Sequence, residues 1–326
     1  MSIPRPGRRQ QLQQRHGLWR NPNRRVFTSR RSFCLLLTCL AVIAILPPIF
    51  FHFKLKRFHQ TQLRQCSWLN GPPLVCAHGG DSTNAFPNTM AAYHAALHSQ
   101  VDCIEIDVSR SSDGVLFALH DRDLQRISGN TTTKVGYMSV KEIEDLDANR
   151  FPLEFHNQSI STVEDALKLI SSSVRRVILD AKVGPPLYGK DLAKDILSVV
   201  QRAQCKNCII WAKSDNLVRD VMKLSPDVTV GYIVMREHSR ARGSLLRMRG
   251  ASVVGVYHEL IDDKLLRILK GRKKKVYAWT VDDEVSMKKM LYDHVDAVVT
   301  SNPTLFRRLM QDIRTQCLQE GFSFKP

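Results

Sequence analysis

The sequence predicts an α/β fold, a (β/α)8 TIM barrel, set behind one apolar span. Three observations predict it. From residue 74 onward, eight short apolar runs alternate with amphipathic stretches, the rhythm of strand–helix units around a parallel sheet. The second run, "CIEIDV", is apolar on one side and carries two carboxylates on the other. Near the N-terminus, 19 consecutive residues (33–51) are uncharged between basic flanks.

The basic character belongs to those flanks. Of the net charge of +17, residues 1–64 supply +13, with no Asp or Glu among them. The remaining body carries only +4 and has no basic stripe with interleaved aromatics, so nucleic acid is excluded as a partner. Residues 1–32, rich in Arg, Gln and Pro without an apolar period, read as a disordered cytoplasmic tail. The segment "FCLLLTCLAVIAILPPIFF" (33–51) makes about 28 Å of helix, enough to cross a lipid bilayer core. The long Arg-rich preamble and the lack of a small-x-small site favour a retained transmembrane helix over a cleaved signal. Pro47-Pro48 is expected to kink or end that helix. Nine arginines before the span and four basic residues after it predict a cytoplasmic N-terminus and a lumenal or extracellular body. Two sequons, at Asn130 and Asn157, are candidate glycosylation sites on that side. Residues 52–71 read as a stalk, 72–316 as the barrel and 317–326 as a C-terminal tail.

Within the barrel, strands are expected at 74–77, 103–108, 177–181, 209–212, 229–234, 252–257, 275–280 and 295–300. Each is a short apolar run bounded by turn residues. Helices are expected at 88–99, 162–173, 190–203, 216–224, 240–249, 262–270, 283–292 and 304–314. The stretch 109–161 is too long for a loop. It reads as an insertion after the second strand, with a strand-like piece at 115–119 and a short helix at 140–147. Of eight cysteines, Cys34 and Cys39 lie in the span. The other six leave their pairing open. Cys205 and Cys208 have zinc-knuckle or redox spacing, but no second pair accompanies them. A local disulfide or two buried thiols is expected.

Alternate strand residues point inward, and the chemistry of such barrels sits at the strands' C-terminal ends. Ile104, Ile106 and Val108 then face the helices, and Glu105 and Asp107 face the axis near the top. Two carboxylates in one concavity repel, unless a cation lies between them. His78 ends the first strand, Asp180 and Lys182 end the third, Trp279 ends the seventh, and the insertion delivers His120-Asp121. Acids, two imidazoles, an ammonium group and a hard divalent ion suit phosphoryl transfer. His94 and His98 lie four apart on the first barrel helix and read as a solvated face. "GRKKKV" (271–276) reads as a solvated loop at the far end. His258, above the sixth strand, reads as structural.

The separated motifs resemble the glycerophosphodiester phosphodiesterase family. They are His78-x-Gly80, Asn88-Thr89, Ala92, Ala96, Asp102-x-Ile104-Glu105-x-Asp107-Val108, Asp113-Gly114 and His120-Asp121, followed by "VYAWTVDDEVSMKKML…VDAVVTSNP" (276–303). The resemblance covers roughly residues 74–312. The anchor and short insertion look most like plant single-pass members. It implies that Glu105, Asp107 and Asp180 hold one divalent cation, Mg2+ or Ca2+. It implies His78 and His120 as the acid–base pair, with His78 the acid and His120 the base. Lys182 would contact phosphate, and Trp279 would pack on the glycerol side. The implied reaction cleaves glycerophosphodiesters to sn-glycerol 3-phosphate and an alcohol.

Three departures stand out. The family's His-Arg-Gly has glycine at residue 79. Its Pro-Glu-Asn-Thr is here Phe86-Pro87-Asn88-Thr89. Its Glu-x-Lys has Asp180. Lys213 or Arg236, at other strand ends, is expected to make up the missing cation. Two further readings stay open: lysophospholipase D-type cleavage of lysophospholipids, and a weakened barrel that binds phosphodiesters or a partner without turnover.

Overall fold

The computed structural model describes residues 23–150, 159–235 and 245–322. The sequon at Asn157 and the candidate cation Arg236 lie outside the described residues. Two units are distinct, residues 1–60 and 61–326.

The first unit is dominated by helix α1 (Asn23–Cys66), which runs on into the second. The helical stretch 30–70, α1 with the 3-10 turn that follows it, holds an apolar window of mean hydropathy 2.6 and is long enough to cross a membrane. The expected break at Pro47-Pro48 is not an end: α1 continues through both prolines. Residues 23–32 of the expected tail and most of the expected stalk are therefore helical. A proline removes one backbone donor but leaves the flanking turns able to close.

The second unit is the barrel. Its ring consists of β1 (Leu74–His78), β2 (Cys103–Arg110), β4 (Arg176–Ala181), β5 (Cys208–Ala212), β6 (Thr229–Val234), β7 (Val253–Tyr257), β8 (Lys275–Trp279) and β9 (Ala297–Thr300). All ring pairings are parallel, and β1 pairs with both β9 and β2, which closes the sheet. A ninth strand, β3 (Leu116–Ala118), pairs antiparallel with β2 outside the ring. It belongs to the expected insertion, with α3 (Asp121–Ser128) and α4 (Val140–Arg150).

Strand alternation divides the core as the sequence pattern requires. Ile104, Ile106 and Val108 pack outward beneath α2 (Met90–His98) and α5 (Val163–Ile170). Inside the ring, Cys76, Ile178, Ile209, Trp211, Ile233 and Tyr277 pack in layers. Trp211 fits because β6 and β7 carry glycine beside it. A Cβ on Gly231 would lie 3.1 Å from Trp211 Cβ, and one on Gly255 would lie 2.9 Å from its ring.

The outer helices complete the shell: α6 (Leu192–Arg202), α7 (Asp215–Leu224), α8 (Asp263–Lys270), α9 (Glu284–Tyr292) and α10 (Pro303–Gln319). Thr89, Thr162, Ser214, Asp262, Asp283 and Asn302 cap their helices by accepting a backbone N–H. The helix expected at 240–249 is a correction. Residues 245–250 form a short 3-10 turn and bends, while 240–244 lie outside the described residues. Leu245 and Met248 still fill the core there, and Leu245 O accepts from the Tyr232 hydroxyl. The "GRKKKV" run is also corrected in part. Lys274 is buried, donating to Met248 O (3.0 Å), Arg249 O (2.8 Å) and Ala251 O, which supply the acceptors that solvent would have given. His94 and His98 are exposed, as a solvated face requires.

Three disulfides pair Cys66 with Cys317, Cys76 with Cys103, and Cys205 with Cys208. The first joins the end of α1 to α10. The second links β1 to β2 inside the ring.

Candidate active site

The C-terminal ends of β1, β2, β4, β5 and β8, with His120 and Arg122 of the insertion, converge on a cavity of about 50 Å3. A larger concavity of about 800 Å3 lies at the opposite mouth, among Arg175, Arg176, Lys270 and Lys275. The smaller one holds the chemistry: His78, Glu105, His120, Asp180, Lys182 and Trp279 all line it.

Local structure explains each placement. Gly79 (φ +63°) and Gly80 (φ +89°) turn the chain sharply after His78. A Cβ on Gly80 would sit 2.6 Å from the Ala92 carbonyl carbon, so glycine lets β1 approach α2. The Gly79 N–H donates to Glu105 Oε2 at 3.0 Å and aims that carboxylate inward. Asn88 clamps Asp107. Its Nδ2 donates to Asp107 Oδ2 (2.9 Å), while the Asp107 N–H donates to Asn88 Oδ1 (3.0 Å). Asp180 is the register partner of Asp107 on the neighbouring strand. Lys182 sits between them, with Nζ 2.5 Å from Asp107 Oδ1 and also paired to Asp180 Oδ2.

His120 arrives by a different route. The Leu119 N–H donates to Asp107 O at 3.0 Å, which ties the insertion to the top of β2. His120 then caps α3, its Nδ1 accepting the Arg122 N–H at 3.1 Å, and its Nε2 has no hydrogen-bond partner among the described residues. The sequence reading missed α3 and with it Arg122, which also lines the cavity. The His-x-x-x-Leu-x-x-Ile spacing of 120–127 was the available helical signal. Lys213, following β5, lines the cavity too and lies 5.9 Å over the Trp279 ring. His258 meets Tyr257 edge to face, with centroids 5.0 Å apart. Asn130 is exposed in a turn.

Burial sets the electrostatics. It pushes Glu105 well above the carboxylate range, helped by the Asp107 charge, and pushes Asp180 up as well. Burial opposes the charge on Asp107 too, but Lys182, His78 and His120 outweigh it and hold that carboxyl below its usual range. The same carboxylates outweigh burial at Lys182 and keep it an ammonium. Burial lowers His78, and brings His120 to about 4. Both imidazoles are neutral at neutral pH.

The donor set fits a hard divalent cation. His78, Glu105 and Asp107 offer ligand atoms within 4.8 Å of one another. Asp180 Oδ1 is buried with no hydrogen-bond partner among the described residues. A carboxylate oxygen buried without a donor calls for a cation. The close cluster differs from the expected one in holding His78 where Asp180 was expected, because Lys182 occupies the space between Asp107 and Asp180.

The departures from the family pattern are coupled. A Cβ on residue 79 would lie 3.1 Å from Pro87 Cβ and 3.2 Å from Asn88 Nδ2, at a positive φ. With proline at 87, residue 79 has little room for a side chain.

Comparison with known proteins agrees with this geometry. The pattern of the glycerophosphoryl diester phosphodiesterase family matches residues 78–305. The chain is 60% identical over 299 residues to Arabidopsis thaliana glycerophosphodiester phosphodiesterase GDPD4, covering 91% of each. It is 30% identical over 245 residues to a glycerophosphodiester phosphodiesterase of Caldanaerobacter subterraneus subsp. tengcongensis, covering 73% of this chain and 98% of that one. A solved phosphodiesterase of Oleispira antarctica, in complex with the product sn-glycerol-3-phosphate, shares the fold. Its TM-score is 0.66 at 24% identity, over 73% of this chain and 97% of its own. By the length of the family match and the 60% identity, the chain belongs to the glycerophosphoryl diester phosphodiesterase family.

Proposed function

We propose that the protein hydrolyses glycerophosphodiesters such as glycerophosphocholine to sn-glycerol 3-phosphate and an alcohol, with one divalent cation, Mg2+ or Ca2+. The observation that carries this is the convergence of His78, Glu105, Asp107, Asp180 and His120 on one cavity in a chain of this family. Glu105 and Asp107, with the unpartnered Asp180 oxygen beside them, would hold the cation, which leaves the His78 ring for the proton work. When bound, it supplies charge neutralisation for the phosphoryl oxygens.

The chain's own groups divide the proton work. His78 is neutral beside carboxylates and can accept a proton from the attacking hydroxyl. Neutral His120 spends its Nδ1 lone pair on the Arg122 N–H and so carries its own proton on Nε2. It presents a donor to the departing oxygen, and the bond strengthens as charge builds there. The departing oxygen takes its proton from solvent while this hydrogen bond holds its charge, and protonated His78 returns one proton to solvent. This reverses the acid and base roles that the family resemblance suggested. Trp279 lines the same pocket and would pack on the glycerol.

The apolar helix is read as a single-pass anchor with a cytoplasmic N-terminus and the barrel in the lumen or outside. Disulfides within the barrel, and an exposed sequon at Asn130, fit an oxidising compartment. The test uses the full chain in detergent with Mg2+ or Ca2+, beside an Asp107→Asn variant and a chelated sample. Release of sn-glycerol 3-phosphate from glycerophosphocholine, lost in both controls, is the expected result. Equal trace release in all three would leave a binding protein. Preferential release of choline from lysophosphatidylcholine would move the substrate to lysophospholipids.

A further inference from the structure

Three cations line the cavity: Lys182, Lys213 and Arg122. Their commitments differ. Lys182 is wedged between Asp107 and Asp180, its side chain only 19% exposed. Moving it onto a ligand would break its pairing with both Asp107 and Asp180. Lys213 has no acidic partner among the described residues and rests over the Trp279 ring. Among the described residues, Arg122 comes no nearer to an acid than 4.0 Å, from Nε to Asp123 Oδ2, and its side chain is 55% exposed. Arg122 is nonetheless anchored, because its own N–H is the one that caps α3 on His120. Its charge reaches His78, His120 and Lys213 across the same cavity.

We propose that Arg122 and Lys213 form the phosphoryl-binding pair of this site, gripping the substrate's non-bridging oxygens from opposite walls, while Lys182 is a positioning residue for Asp107 and Asp180. The inference rests on the proposed function and names the grip within it. The physical reason is availability. An anion is bound by cations with unfilled donors, and here those are the guanidinium on α3 and the ammonium after β5. The arrangement also makes sense of Gly79. The Cβ-free, positive-φ turn against Pro87 cannot present a cation, and the insertion presents one from the other side.

The test is binding, read apart from turnover. The full chain in detergent, with Mg2+ present, is titrated with sn-glycerol 3-phosphate and, separately, with inorganic phosphate. The readout is the fluorescence of the tryptophans, two of which, Trp211 and Trp279, line the cavity. Arg122→Gln and Lys213→Met are each expected to weaken both ligands about tenfold, and the double variant about a hundredfold, as the loss of charge-assisted bonds predicts. Arg122→Lys should recover part of the loss. Added salt should weaken wild type more steeply than the double variant. Thermal midpoints should stay within about 2 °C of wild type, since both side chains are solvent-facing. A double variant that binds both ligands within twofold of wild type overturns the proposal. If the wild type fails to hydrolyse glycerophosphocholine, the functional reading falls, and the phosphate titration still decides whether this pair binds the anion.

Discussion

At the scale of single residues, the site is a set of side chains held by backbone groups. Gly79 N–H orients Glu105, Asn88 orients Asp107, and Arg122 N–H orients His120. The two histidines should therefore respond differently to substitution. Glutamine at position 120 keeps an N–H donor and an acceptor for the cap, so His120→Gln is expected to lose about tenfold in kcat, and His120→Ala far more. His78→Gln has no group to take a proton and should lose on the order of a thousandfold. Equal loss in His120→Gln and His120→Ala would contradict the donor role. The pH profile follows from the direction of the His78 shift. The neutral ring is the active form, so activity is lost as pH falls through its pKa. Burial holds that pKa below the ordinary 6.5, so the acid limb of kcat/KM should lie below pH 6.5. A limb centred at or above that value would remove His78 as the base.

At the scale of elements, the barrel interior is shaped by what β6 and β7 lack. Gly231 and Gly255 leave room for Trp211, whose ring reaches the cavity floor. A methyl group on Gly255 meets that ring at 2.9 Å, so Gly255→Ala must push the indole toward the site. The expected cost is about 1–3 kcal/mol in denaturant unfolding, together with weaker product binding. Gly189→Ala, where nothing lies within 4 Å, serves as the silent control. Matching unfolding midpoints for the two variants would show that the ring has slack. The insertion is the other decisive element. β3 lies outside the ring and exists to deliver α3, whose N-terminus carries both His120 and Arg122.

At the scale of the whole molecule, the Cys66–Cys317 disulfide joins residues 251 apart and closes almost the entire barrel into one covalent loop. Long loops lose the most unfolded-state entropy on cross-linking, typically about 2–5 kcal/mol of stability. The double variant Cys66→Ser, Cys317→Ser should lower Tm by about 5–15 °C at this chain size. A drop of under about 2 °C would mean that α10 and the end of α1 hold together without the bond.

The strand–helix rhythm, the inward face of Glu105 and Asp107, the apolar helix and the family motifs were all legible before any coordinates. They are local: periodicity of 2 or 3.6 and short-range spacing express them within a few residues. What stayed hidden were pairings between distant parts. Nothing near Lys182 in the chain says that it will be locked between two acids, because β2 and β4 meet only when the ring closes. Nothing near Arg122 says that it will share a pocket with Lys213, nor near Lys274 that three carbonyls will surround it. Those facts depend on strand register and helix packing, which bring together residues tens to hundreds of positions apart, and a linear pattern carries no record of such distances.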